Sequence, residues 1–158
     1  MPKIHLTTFI AAPSEVVFDL SRHISVHKES MAPYKLEAVA GTRFGLIEKG
    51  DTVTWRSHHL FKERLQRIKY TEVKRADVIT EVQMQGDLTS FQHEHHFKSI
   101  DNGMLLIDLV DFEMPYGQLG RWFNSLYFTG YIESLLHRRN DTLKRFAETD
   151  RWKKILIK

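Results

Sequence analysis

The sequence predicts an α+β domain in which a curved antiparallel sheet of about seven strands wraps around a long C-terminal helix, with two short helices after the first strand. Alternating apolar residues at the start of the chain, dense strand signals from Asp51 to Met114, and apolar residues at helical spacing from Leu119 to Phe146 predict this class. The gaps between the predicted strands are too short for crossover helices, so the strands are expected to be antiparallel.

The elements before the main sheet are marked by proline and by changes of periodicity. They are a strand at Ile4–Ile10, a helix at Ser14–Ser21 opened by Pro13, a helix or turn at Ser25–Pro33 and a strand at Tyr34–Ala40. Breaks near residues 60–62, 74–77, 86–87 and 101–103 divide the next stretch into a five-strand meander. Because the sheet must bury one face and the long helix is its only large apolar partner, the sheet is expected to curl around that helix.

Composition limits the class of protein and its partners. A chain of 158 residues with 42% hydrophobic and 27% charged residues fits one globular domain. The absence of cysteine excludes disulfides, thiol nucleophiles and cysteine-bound zinc. The net charge of +3 comes from basic residues interleaved with acidic ones, so no nucleic-acid partner is expected. The chain shows neither a signal region nor an apolar run of transmembrane length, which predicts a cytoplasmic protein.

The last predicted hairpin indicates which side chains face the interior. Asn102-Gly103 favours a two-residue type I′ turn that pairs Asp101 with Met104. In this register Phe97 pairs with Asp108, His95 with Val110, His93 with Phe112 and Phe91 with Met114, all on one face. That face collects the apolar residues and is expected to be buried, with His95 the nearer histidine to Asp108. Its neighbours Gln92, Glu94, His96 and Lys98 are expected in solvent.

The other strands add residues to the same face. A two-residue turn at Gly86-Asp87 would turn Val78, Val82 and Met84 inward and Glu81 and Gln83 outward, whereas a three-residue loop would reverse this. Alternation places inward Val53, Trp55, Ser57 and His59 on the earlier strand, and Tyr70 on the strand after it. On the long helix, Trp122, Phe123 and Tyr127 are expected in the core, Gly130 to leave room for a ligand or to ease a bend, and Arg138-Arg139 on a solvated face.

Four segments, in order along the chain, resemble one known superfamily. They are Gly45-Leu46-Ile47, residues 50–56 (GDTVTWR), residues 91–97 (FQHEHHF) and residues 115–120 (PYGQLG). They resemble a bacterial branch of the lipid-transfer/polyketide-cyclase-like superfamily (START-like, Bet v 1-like, SRPBCC), labelled cyclase-like or cell-division-inhibitor-like. The resemblance covers roughly residues 3–148 and implies the helix-grip fold. The superfamily includes carriers, hormone sensors, cyclases, dehydratases and oxygenase subunits, so the fold does not define one activity.

This resemblance divides the chain into a helix-grip ligand-binding domain at residues 1–148 and a basic amphipathic tail at residues 149–158. The tail is expected to pack on its own domain, since membrane contact is the less favoured alternative. A homodimer is left open.

The candidate ligand-binding residues combine apolar walls with buried polar groups. They are Trp55, His59, Tyr70, Phe91, His93, His95, Asp108, Val110, Phe112, Trp122 and Leu126. Buried polar side chains need partners, because each unpaired group costs on the order of 1 to 3 kcal/mol. The histidines can be satisfied by Asp108 or water as plain structure, or they can form a polar recognition end of the pocket.

A metal site is the third interpretation of the histidine run. Histidines two apart in a strand point the same way and could share an ion with His59 or Asp108 as third ligand. The sequence favours the first two interpretations, and so predicts no metal and no cofactor.

The sequence therefore predicts a protein that binds, and in one version transports, a hydrophobic or amphipathic small molecule between the sheet and the C-terminal helix. The alternative is a non-metal polyketide cyclase or dehydratase in which Asp108 orients His95 as general base. An enzyme is the less favoured of the two.

Overall fold

The computed structural model describes residues 3–115 and 118–157, and within the C-terminal helix it describes side chains from residue 126 onward. The elements in chain order are β1 (Lys3–Ile10), α1 (Ser14–Ser21), α2 (Ile24–Ser30), a 3₁₀ turn (Ala32–Tyr34), β2 (Glu37–Gly41), β3 (Thr52–His59), β4 (Lys62–Lys74), β5 (Val78–Gln85), β6 (Ser90–Ile100), β7 (Gly103–Glu113), α3 (Gln118–Ala147) and α4 (Arg151–Leu156). The seven strands form one sheet in the order β1-β7-β6-β5-β4-β3-β2, and every neighbouring pair is antiparallel.

The architecture is the one predicted, a curved antiparallel sheet with α1 and α2 after the first strand and a long C-terminal helix. Pro13 occupies the N-cap of α1, and the helix buries Val17, Phe18 and Leu20. Next, the Nδ1 atom of His23 accepts a hydrogen bond from the backbone amide of Ser25 and so caps α2. These two short helices and the C-terminal half of α3 cover one face of the sheet, and the main core lies between them.

The predicted register of the β6–β7 hairpin is wrong by two positions. The turn residues are Asp101 and Asn102, and Gly103 already belongs to β7 and pairs with Ile100. Asn102 takes the left-handed conformation, with φ of 67°. Gly103 lies against the end of β1, where a Cβ atom would sit 2.4 Å from the carbonyl oxygen of Ile10. The glycine is therefore needed for this close approach and not for the turn.

A shift of two positions preserves the faces of both strands, because side chains alternate with a period of two. His95 pairs with Asp108 instead of the predicted Val110, and His93 pairs with Val110 instead of the predicted Phe112. The inward face that the sequence predicted is therefore confirmed. Its members on these two strands are Phe91, His93, His95, Phe97, Leu106, Asp108, Val110 and Phe112.

The pairing of β5 with β6 differs by one position from the pairing that a two-residue turn would give, so β5 has the reversed faces that the sequence left open. Glu81 pairs with His93 and faces inward, while Met84, expected inside, is 53% exposed. The connection spans residues 86–89 instead of two residues, and it is held by a hydrogen bond from Gln83 Nε2 to the carbonyl of Leu88 at 2.7 Å. Val78 and Val82 move to the outer face with Met84. The longer connection thus brings Glu81 to the histidines.

The C-terminal helix also differs from the prediction in detail. Leu126 and Tyr127, expected in the pocket and the core, are 69% and 60% exposed. The helix instead buries Leu136, Arg139, Leu143 and Phe146. Trp122, predicted as pocket wall, lies outside the described side chains.

The tail forms α4 and packs on the domain. Trp152, Ile155 and Leu156 lie against the main core, and Arg151 makes a 3.0 Å ion pair with Glu29 of α2. Among the described residues, no helix combines the length and the apolar character needed to cross a membrane. The boundary at residue 148, the cytoplasmic location and a homodimer stay predictions.

Candidate functional site

A partly enclosed cavity of about 410 Å³ lies between the concave face of the sheet and α3. Its volume is within the range of small-molecule sites, roughly 300 to 1,000 Å³. Most of the wall is apolar, supplied by Met31, Leu36, Trp55, Ile68, Phe91, Phe128, Ile132 and Leu135 among others. One end is polar and carries His27, Tyr70, Glu81, His93 and Arg139. The cavity is therefore amphipathic along its length.

Nine of the eleven predicted site residues form two groups, while Leu126 is exposed and Trp122 lies outside the described side chains. Those that line the cavity are Trp55, His59, Tyr70, Phe91 and His93. Four others, His95, Asp108, Val110 and Phe112, are buried on the same face but lie behind the cavity wall. The predicted reacting pair of His95 and Asp108 is thus separated from the cavity by its neighbours.

Three adjacent strands bring the buried polar cluster together. Glu81 of β5, His93 and His95 of β6, and Asp108 of β7 lie side by side because each register places them opposite one another. His93 Nε2 lies 2.7 Å from Asp108 Oδ1, and His95 Nδ1 lies 3.1 Å from the same oxygen without the alignment of a hydrogen bond. The nearer histidine to Asp108 is therefore His93, and the prediction that it would be His95 is wrong.

The opposite edges of the two imidazole rings face Glu81. His93 Nδ1 lies 3.3 Å from Glu81 Oε1, and His95 Nε2 lies 3.7 Å from Glu81 Oε2. The rings stack with centroids 3.6 Å apart. Two carboxylates thus bracket a pair of stacked imidazoles.

The long helix holds Asp108 from the other side. Asn140 Nδ2 donates to Asp108 Oδ2 at 2.7 Å and to Thr8 Oγ1 at 3.0 Å. Arg139 Nη1 donates to Asn140 Oδ1 at 3.3 Å and lies 3.9 Å from Asp108 Oδ1. Asp108 is fully buried, so these contacts replace the water that its charge would otherwise attract.

The two carboxylates remain charged despite their burial. Burial alone would raise the pKa of Asp108 and of Glu81, but hydrogen bonds and charge interactions with His93 and His95 outweigh it and hold both pKa values well below the usual range. For His93, burial opposes the charged ring, yet Asp108 and Glu81 raise its pKa. For His95, burial and the neighbouring His93 and Arg139 lower the pKa. The cluster therefore balances two anions against His93 and Arg139.

Two further groups complete the polar end. Burial and the nearby Arg139 lower the pKa of His27 to about 3, so this ring stays neutral, and it packs edge-on against Trp55 at 4.7 Å. Burial and the charge of Glu81 raise the pKa of Tyr70 well above its usual value. The cavity end thus presents a fixed set of donors and acceptors.

His59 lies elsewhere on the wall. Its Nδ1 atom lies 2.5 Å from the Tyr131 hydroxyl, and its ring stacks on Tyr34 with centroids 4.4 Å apart. Burial lowers its pKa, with a further contribution from Arg64. It is therefore not part of the cluster around Asp108.

Sequence reasoning missed three residues of the polar end, His27, Glu81 and Arg139, and it missed Asn140, which holds Asp108. Whether Glu81 faces inward or outward depended on the length of the loop between β5 and β6. Arg139 was assigned to a solvated face because it belongs to a run of charges, although Leu135, Leu136 and Leu143 place it on the buried side of a 3.6-residue period. That period was the signal that could have found it.

Comparison with known proteins reveals likeness in structure but not in sequence. No family model matches the chain, and no curated protein matches its sequence. Protein TTHA0849 from Thermus thermophilus is similar with a TM-score of 0.67 and 18% identity over 90% of this chain and 97% of its own. Ginseng major latex-like protein 151 from Panax ginseng is similar with a TM-score of 0.67 and 14% identity, over 92% of this chain and 97% of its own.

A polyketide-pathway protein shows the same likeness. The di-domain ARO/CYC protein StfQ from the steffimycin biosynthetic pathway has a TM-score of 0.73 and 13% identity over 92% of this chain and 50% of its own. At these identities the likeness shows the fold alone. The chain therefore has the helix-grip fold, as the resemblance in its sequence implied.

Proposed function

We propose that the protein binds, and carries, a hydrophobic or amphipathic small molecule in the cavity between sheet and α3. The observation that supports this is the combination of a mostly apolar wall with one buried, charge-balanced end in a cavity of about 410 Å³. Apolar burial stabilises the complex by roughly 25 cal/mol per Å² of ligand surface, and the polar groups set the orientation.

Arg139 is the group best placed to recognise the polar end of the ligand. A guanidinium has five N–H donors, and its contacts among the described residues are with Asn140 at 3.3 Å and Asp108 at 3.9 Å. The side chain is 6% exposed and lines the cavity. Its remaining donors favour a ligand that carries a carbonyl or another hydrogen-bond acceptor at that end.

A matched pair of ligands tests this proposal. We expect 2-acetylnaphthalene to displace a cavity-bound fluorescent probe, 1-anilinonaphthalene-8-sulfonate, more effectively than 2-ethylnaphthalene does. Arg139→Met keeps an apolar stem and removes the donors, so it should weaken the ketone about tenfold or more and the hydrocarbon less than twofold. Arg138→Met is the control, because Arg138 is exposed and lies over Tyr34.

Two outcomes count against the proposal. If the wild-type protein binds neither naphthalene, the cavity is not a binding site for apolar molecules of this size. Equal losses for both ligands in Arg139→Met would mean that Arg139 only supports the fold, and a melting curve of the same variant would show it.

A cyclase or dehydratase is the second candidate, and one observation favours it. Asp108 holds His93 at 2.7 Å, and His93 reaches the cavity surface. The group that meets a substrate would then be His93 and not the predicted His95, with Asp108 as its positioning residue. The likeness to StfQ supports this candidate only through the shared fold. Recovery of a chemically unchanged ligand from the cavity would favour the carrier.

A further inference from the structure

We propose that Glu81, His93 and His95 form a binding site for one divalent transition-metal ion, with zinc as the best match. The site lies at the polar end of the cavity. It uses one carboxylate and two imidazoles, a donor set that zinc and other borderline metals accept. The proposal does not depend on an organic ligand in the cavity, because all three donors are side chains of the protein.

The fold brings the three donors together without any rearrangement of the backbone. His93 and His95 are two apart on β6 and so project to the same face, and Glu81 pairs directly with His93 across β5. One ligand atom of each lies within 4.8 Å of the others. Both histidines are buried, and Glu81 is largely buried.

The nitrogens of the two imidazole rings lie closer to Asp108 than to Glu81. The Asp108 side has distances of 2.7 and 3.1 Å, whereas the Glu81 side has 3.3 and 3.7 Å. Ligands at about 2.0 to 2.1 Å from a tetrahedral zinc ion lie roughly 3.3 Å from one another. The two distances on the Glu81 side are close to this spacing, and the nitrogens that face Glu81 are His93 Nδ1 and His95 Nε2.

Asp108 supplies the outer support that metal-bound histidines need. It faces the other nitrogen of each ring, so it can hold both rings with their Glu81-facing nitrogens free to coordinate. Asn140 in turn holds Asp108 at 2.7 Å. A bound metal ion would replace the proton on His93 Nδ1, so its positive charge would face the two carboxylates that bracket the rings.

The fourth coordination position opens to the cavity, since Glu81 and His93 both line it. Three protein ligands with one open position are the arrangement of zinc sites that bind water or a ligand atom. The sequence analysis, which favoured interpretations without a metal, considered His59 or Asp108 as the third ligand and did not consider Glu81. His59 lies against Tyr131, and Asp108 lies on the far side of the rings, so the β5 register supplies the ligand that was missing.

Cobalt(II) as a spectroscopic probe tests the site. Full-length protein is stripped with a chelator and titrated with Co²⁺, and we expect the intense visible bands of four-coordinate cobalt to saturate at one ion per chain. Zinc should displace the cobalt and should raise the melting temperature by about 5 to 10 °C at a hundredfold excess over its dissociation constant.

Variants assign the ligands. Glu81→Gln and His95→Gln should each weaken cobalt binding at least tenfold and lose the four-coordinate spectrum. His96→Gln is the matched control, because His96 belongs to the same run but lies on the outer face beside Glu94, and it should bind as the wild type does. Displacement of the probe by 2-ethylnaphthalene in the metal-free protein should be unchanged in His96→Gln, since His96 does not line the cavity.

The proposal is overturned if the wild-type protein gives no four-coordinate cobalt spectrum at one equivalent, a result that needs no variant to fold. It is also overturned if His96→Gln abolishes the spectrum while Glu81→Gln keeps it. Neither result bears on whether the cavity binds the naphthalenes, so this proposal and the proposed function fail separately.

Discussion

Replacing Asp108 with asparagine is predicted to destabilise the fold strongly although it changes neither shape nor volume. The carboxylate accepts from His93 and from Asn140 at 2.7 Å each, and it is fully buried. An asparagine can accept on one side only, because its amide NH₂ would face a second donor. Asn140 cannot simply turn to accept, since its oxygen already accepts from Arg139 and its nitrogen donates to Thr8.

Breaking a buried charge pair by removing one partner costs roughly 3 to 5 kcal/mol. For a chain of this length that corresponds to a fall in melting temperature of about 6 to 20 °C. Urea unfolding followed by circular dichroism measures the difference in free energy of unfolding. Asp111→Asn is the control, because Asp111 is three positions along the same strand and its carboxylate lies near the surface, 3.8 Å from the ammonium of Lys3. This variant should change stability by less than about 0.5 kcal/mol. A loss below about 1 kcal/mol in Asp108→Asn would refute the view that this carboxylate organises the cluster.

Two further predictions concern pH and packing. The pKa of His27 is about 3 in the folded protein and near 6.5 in the unfolded chain, so the stability that depends on the neutral ring is present above pH 6.5 and is lost as the pH falls toward 3. At pH 5 this loss is about 2 kcal/mol. Urea titrations at pH 7 and pH 5 should show that His27→Phe abolishes it. Identical pH dependence in the two proteins would count against a buried neutral ring. Gly103→Ala should destabilise the protein by more than 1 kcal/mol, since the added Cβ atom would meet the Ile10 carbonyl. Gly130→Ala should stabilise α3 by about 0.5 to 1 kcal/mol, because the added Cβ atom has no neighbouring atom within 4 Å among the described residues. Thermal melts of both variants decide this, and a neutral Gly103→Ala would show that the hairpin end can move.

The sequence predicted the five-strand meander from the short connections between its strands. It predicted the inward face of β6 and β7 from the alternation of side chains, which is insensitive to a register shift of two. It predicted the exact partners wrongly, because Asn102-Gly103 fits two turn positions equally well. Contact between Gly103 and β1 decides between them, and that contact joins distant parts of the chain.

The candidate site was predicted only in part for the same reason. His93, His95 and Asp108 lie on strands whose faces the alternation determines. Glu81 lies on β5, where one residue of loop length reverses the face, and the side-chain hydrogen bond from Gln83 to Leu88 that closes this loop has no local signature. Arg139 was assigned to a solvated face because it lies in a run of charged residues.

Native mass spectrometry of protein purified from its own host tests whether the cavity holds a ligand. We expect the wild-type protein to retain one apolar or amphipathic molecule. Ser57→Phe, which fills the cavity from β3, should lose that molecule, while Gln92→Phe on the outer face of the sheet should keep it. An empty wild-type protein, or a molecule retained equally in Ser57→Phe, would contradict the claim that this cavity is the binding site.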